Sequence, residues 1–109
     1  MSYKVKTTAV FEKQAKKLVK KYSSLKKELL ELIQNLKENP ENGIAIGQNC
    51  FKIRIAIASK GKGKSGGARI ITNFVITDKT VYLFTIYDKS EQDNITDKEL
   101  NELLRYLPE

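Results

Sequence analysis

A chain of 109 residues, 40% hydrophobic, is long enough to bury one core and too short for two domains, so residues 1–109 read as a single domain. One cysteine excludes an internal disulfide, the absence of histidine excludes Ser-His-Asp and Cys-His catalysis, and nothing approaches the ~18 apolar residues of a membrane span. The formal charge of +7 is unevenly spread: residues 1–27 hold nine Lys against one Glu, whereas residues 88–109 hold seven acids against three bases. A basic front of this kind suits a polyanion such as nucleic acid, although a lysine-rich surface kept for solubility accounts for composition equally well. With no signal-like apolar run and an unpaired Cys50, the chain reads as soluble and cytoplasmic.

Tyr3–Thr7 alternates apolar and basic residues and predicts a short strand. Thr7 or Thr8 can cap the helix that follows, in which Phe11, Ala15, Leu18, Val19 and Tyr22 form one apolar stripe. Lys13, Lys16, Lys17, Lys20 and Lys21 fill much of its remaining circumference and are accounted for as a solvated face. Ser23 or Ser24 can cap a second helix whose apolar face is Leu25, Leu29, Leu32, Ile33 and Leu36, ending near Asn39 ahead of Pro40. The short connection predicts an antiparallel helix hairpin, and Ile44–Cys50 reads as a loop approaching a sheet.

Three strands come next: Phe51–Ala58, Ala68–Ile76 and Val81–Tyr87, the last apolar on both faces and therefore expected in the sheet interior. Alternation in the first sends Ile53, Ile55 and Ile57 towards the helix hairpin and Lys52 and Arg54 towards the other, open face. Directing Ile70 and Phe74 into the core places Arg69 on that open side too. Thr77–Thr80 predicts a hairpin turn. After the polar segment from Asp88, Thr96 and Glu99 form a capping box for a final helix with Leu100, Leu103, Leu104 and Leu107 on its apolar edge and Pro108 as its stop. The expected fold is α+β, in the order β-α-α-β-β-β-α, with the helices on one face of a largely antiparallel four-stranded sheet.

Between the first two of these strands runs Ser59–Gly67, SKGKGKSGG, with four glycines, three lysines and no acid. Gly61–Gly66 spells G-x-G-x-x-G, but a strand follows where a dinucleotide site needs a helix. Gly63-Lys64-Ser65 fails as a P-loop for the same reason. With no His and one Cys, no metal-ligand set is expected, and no cofactor is implied. What is left is a run from Lys52 to Arg69 with six cations and no acid, flanked by Tyr87, Asp88 and Lys89. Cations alone can cleave RNA: they align the phosphate, neutralise developing charge and exchange a proton, while the 2′-OH supplies the nucleophile. The same face could bind nucleic acid passively, and the residues leave both readings open.

The run FKIRIAIASKGKGKSGGARIITNFVI, then VYLFTIYDKSE, then a short helix after NIT, resembles the RelE/ParE toxin superfamily, with its HigB/RelE-like branch the nearest in look. The likeness extends over nearly the whole chain, including FEKQAKKLVKKYSSLKKELLELIQ. It implies a RelE-like fold and the toxin of a type II toxin–antitoxin pair. Its implied partners are a cognate antitoxin and the ribosomal A site, with mRNA and rRNA. RelE-like members cut mRNA there and so inhibit translation, whereas ParE-like members poison gyrase without catalysis. Carried across, Lys52 and Arg54 match the basic pair on the first strand of the hairpin, Arg69 the arginine that clamps the scissile phosphate, and Lys89 a basic proton donor after the last strand. Lys60, Lys62 and Lys64 are then expected to grip RNA phosphates. The chain departs from the family pattern at that last strand's end: Ser90 follows Lys89, and no Tyr lies between Asp88 and Arg105. Arg54 is also too basic to act as a general base, which leaves that role to Lys52.

Overall fold

The computed structural model describes residues 3–61, 63, 66–92 and 94–105. Its elements are β1 (Lys4–Thr7), α1 (Ala9–Lys21), α2 (Leu25–Glu38), β2 (Ile44–Gly47), β3 (Cys50–Ile55), β4 (Ala68–Val75), β5 (Thr80–Asp88) and α3 (Asp97–Leu104). A 3-10 turn at Ala58–Lys60 follows β3. The sheet order is β1-β5-β4-β3-β2, with β1 parallel to β5 and every other neighbour antiparallel. The α+β class is as the pattern predicts.

Local chemistry explains where the helices begin and end. The Thr8 hydroxyl accepts the Phe11 N–H at 3.1 Å, which satisfies one of the orphan donors at the α1 N-terminus. Thr96 and Glu99 form the anticipated capping box on α3. Ser24 sits at the N-cap of α2 without capping it. Its hydroxyl turns instead to Glu28 and Ser59, a tertiary use that outcompetes the local one. Asn39 ends α2, one residue before Pro40. Pro108 and Leu107, expected to finish α3, lie outside the described residues.

Burial follows the predicted stripes. Phe11, Ala15 and Leu18 of α1 and Leu25, Leu29, Leu32 and Leu36 of α2 pack on Ile53, Ile57, Ile70, Phe74, Val81, Leu83 and Ile86 of the sheet region. Each fully buried Leu, Ile or Phe here contributes about 1.5–3 kcal/mol of transfer free energy. All nine residues of β5 are buried, in keeping with its apolar sequence and its place between β1 and β4.

Two expectations are corrected. The sheet has five strands, because Ile44–Gly47, read as loop, pairs antiparallel with β3. Its turn is Gln48-Asn49, both at positive φ (53° and 59°), the conformation of a tight two-residue hairpin without the Asn-Gly signature that would announce it. The helices also do not share one face. Leu100 of α3 clusters with Cys50, Ile71, Tyr82, Phe84 and Tyr87 on the face turned away from the helix hairpin, where a bulge in β5 between Leu83 and Thr85 brings Tyr87 onto the same side as Tyr82 and Phe84. The face expected to be open is therefore covered over part of its width, because the apolar residues there need a partner as much as those in the main core.

Candidate active site

Strand register builds the site from three successive rows across the sheet. Arg54 of β3 lies directly opposite Arg69 of β4, and Arg69 in turn lies opposite Tyr87 of β5. The next row is Lys52–Ile71–Thr85, and beyond it Cys50 pairs with Asn73. Directly opposed residues carry Cβ atoms about 4.5–5.5 Å apart, and same-face neighbours along a strand follow at about 6.5–7 Å. Lys52, Arg54 and Arg69 thus share one face, as alternation predicts. No Asp or Glu occurs in β3 or β4, and the only acid of β5, Asp88, alternates to the other face.

The three cations differ in access. Arg54 is exposed and Lys52 half-buried, with the Lys52 ammonium 3.5 Å from Asn94 Oδ1 in the segment before α3. Arg69 was expected on an open face but is only 4% exposed, and its Nη1 donates to the Ala68 carbonyl at 3.1 Å. The reason is topological: β4 is the middle strand, and its two faces are covered by the helix hairpin and by the α3 cluster. Arg69 thus lies behind the exposed Arg54 and the half-buried Lys52.

Lys89 follows the end of β5, half-buried, and its backbone N–H donates to the Gly67 carbonyl at 3.0 Å. That contact ties the turn after β5 to the residue just before β4. The backbones approach closely here, since a Cβ on Gly67 would fall 2.0 Å from the Ile55 carbonyl oxygen. Lys62 and Lys64 lie outside the described residues.

Lys60 is placed elsewhere than the phosphate-gripping reading expects. Its ammonium donates to Asp88 Oδ1 at 2.6 Å, the Gly66 carbonyl at 2.9 Å and Ser90 Oγ at 3.1 Å. It also lies 5.6 Å from the centre of the Tyr22 ring. Asp88 Oδ2 accepts the Tyr22 hydroxyl at 2.5 Å, and Oδ1 accepts the Ser90 N–H and hydroxyl as well. Burial alone would push the Asp88 carboxyl up. The Lys60 ammonium, the Tyr22 hydroxyl and Ser90 outweigh it and hold the group well below the usual carboxylate range.

This cluster escapes a sequence reading. Tyr22 fits the apolar stripe of α1, and Lys60 fits a glycine-lysine loop; the one signal is an acid ending an otherwise apolar strand. Cys50, expected to be inert, is 1% exposed, and burial pushes its thiol up.

A family model described as the RelE toxin of the RelE/RelB toxin–antitoxin system matches residues 3–107. The chain belongs to the RelE toxin family. It is the toxin of a toxin–antitoxin system, a family whose members work opposite an antitoxin. Among solved structures, the isolated E. coli RelE toxin superposes with a TM-score of 0.62 at 16% identity, covering 97% of this chain and 100% of that one. A free-state E. coli RelE in which two arginines are replaced by alanine gives 0.61 at 15% identity, with 99% and 100% covered. The intact E. coli RelBE toxin–antitoxin complex gives 0.62 at 18%, with 80% and 96% covered. At such identities these likenesses speak for the fold. Among the described residues no helix is long and apolar enough to cross a membrane.

Proposed function

We propose that this toxin is a ribosome-dependent mRNA endoribonuclease that stops translation, with Lys52, Arg54, Arg69 and Lys89 as its working residues. The observation that carries the reading is the Arg54–Arg69 cross-strand pair, with Lys52 in the next row and no acid on β3 or β4. A row of cations on one sheet face is a surface that attracts an anion. An RNA phosphate is such an anion.

In the proposed reaction the 2′-oxygen attacks the adjacent phosphorus, forming a 2′,3′-cyclic phosphate as the bond to the 5′-oxygen breaks. Lys52 takes the 2′-OH proton or supports its loss electrostatically. Arg54 and Arg69 neutralise the charge that grows on the phosphoryl oxygens. Lys89, at the turn after β5, returns a proton to the leaving 5′-oxygen. The ribosome supplies the aligned mRNA and the cognate antitoxin silences the toxin.

Induction in a bacterial host tests this. The expected result is growth arrest with mRNA cut at codon edges, and a fall of roughly 100-fold or more in cleavage for Arg69→Ala, judged on protein confirmed as folded by circular dichroism. Full toxicity of Arg69→Ala would remove this site from the mechanism. Loss of DNA supercoiling with mRNA intact would instead identify a gyrase poison.

A further inference from the structure

The Asp88 cluster plays no direct part in the chemistry above. Its carboxylate side chain is fully enclosed, and the Lys60 ammonium is engaged by Asp88, the Gly66 carbonyl and Ser90, so the mechanism above gives neither a role. What Asp88 does reach is the turn that carries Lys89. Oδ1 accepts the Ser90 N–H at 2.9 Å, while the Asp88 carbonyl accepts the N–H groups of Glu91 and Gln92, both at 3.0 Å. Lys89 is thus bracketed by Asp88 and by a residue bonded to the Asp88 side chain.

The same carboxylate controls the other side of the site through Lys60. One ammonium links Asp88 to the Gly66 carbonyl, and Gly67 receives the Lys89 N–H, two residues ahead of Arg69. Lys60 is itself held in place from the helix hairpin. Ser24 Oγ accepts the Ser59 N–H and Glu28 Oε2 accepts the Ala58 N–H, both at 2.9 Å, while Tyr22 at the end of α1 donates to Asp88. The connection between α1 and α2 therefore grips the start of the glycine-lysine loop and, through Asp88, its exit.

We propose that Asp88 is a positioning residue: clasped by Tyr22 and Lys60, it fixes the turn bearing Lys89 against the Gly66–Gly67 backbone that leads into Arg69. The proposal rests on the cleavage reading above, in which Lys89 acts as the proton donor. An aspartate suits the task because its two oxygens serve both layers at once. Oδ2 answers to α1, and Oδ1 answers to the loop and the turn. Its charge keeps the Lys60 ammonium in a place where few other side chains could satisfy it.

The test uses Tyr22→Phe, which removes a single hydroxyl, in wild-type and Lys89→Gln backgrounds. If Asp88 acts through Lys89, Tyr22→Phe slows mRNA cleavage in a ribosome-programmed translation extract by about tenfold in wild type and adds nothing once Lys89 is Gln. Lys60→Arg, which keeps charge and donors, retains more cleavage than Lys60→Met. Amide exchange at Lys89 and Ser90 in the free protein speeds up in Tyr22→Phe by a similar factor. Losses that multiply in the two backgrounds would show a merely structural role and overturn the proposal. So would exchange at Lys89 and Ser90 that stays at the wild-type rate. If the wild-type protein left mRNA intact, the cleavage reading would fall, while the exchange measurement would still decide whether the clasp holds the turn.

Discussion

Arg54 of β3 and Arg69 of β4 stand directly opposite one another in the antiparallel ladder, two like charges in a cross-strand pair. Like charges placed directly opposite one another in a sheet repel. Arg54→Gln should therefore leave the protein as stable or slightly more stable in urea, by about 0.2–1 kcal/mol, while weakening toxicity and flattening the salt dependence of ribosome binding. A loss of stability with unchanged toxicity would show that the pair is not kept for an anion.

Asp88 makes stability depend on acid. Its folded-state carboxyl titrates well below the ordinary value near 3.9, because Lys60, Tyr22 and Ser90 favour its charged form. A depressed folded value means that the stabilisation is fully present above pH ~4 and is lost as pH falls from there towards the folded value. Urea midpoints measured between pH 2 and pH 7 should drop steeply below about pH 4. Asp88→Asn should remove most of that slope and lower stability at pH 7 by about 3–5 kcal/mol, since it leaves the Lys60 ammonium buried without its counter-charge.

Gly67 and Gly61 separate two reasons for having glycine. Gly67 is needed for space: any Cβ meets the Ile55 carbonyl oxygen at 2.0 Å, and backbone must move to admit it. Gly61 is needed for conformation: its φ is 74°, with open space around the position. Gly67→Ala should cost about 1–3 kcal/mol or more and disturb the Lys89 N–H bond to Gly67, whereas Gly61→Ala should cost about 1 kcal/mol with that bond intact. Urea denaturation and the Lys89 amide shift report the two effects separately.

The α3 layer packs through Leu100, with Ile95, Leu103 and Leu104 partly buried beside it. Leu100 is its one fully covered leucine among the described residues, and Thr96 caps it. Leu100→Ala should cost about 2–3 kcal/mol, and Thr96→Ala about 1 kcal/mol. In both variants exchange should accelerate in α3 before it does in β4 and β5.

Hydrophobic periodicity alone determined much of this protein. The stripes Phe11–Ala15–Leu18 and Leu25–Leu29–Leu32–Leu36 specify a helix hairpin, because a period of 3.6 has one solution for burying them. Alternation in FKIRI and ARIITNF likewise set Lys52, Arg54 and Arg69 on one side before any register was known, since the side-chain period of a strand is two. The glycine-lysine loop and its neighbours also carried the RelE likeness that the family match bears out. Tertiary structure decided the rest. Ile44–Gly47 is a strand only because β3 offers its edge, and four residues carry too little pattern to say so. Arg69 is enclosed because β4 falls in the middle of the sheet with α3 across its second face, a matter of strand order rather than composition. The Tyr22–Asp88–Lys60 clasp joins residues 66 and 28 positions apart in sequence. No local pattern records such a contact, because each of the three residues satisfies its own element's rules without it.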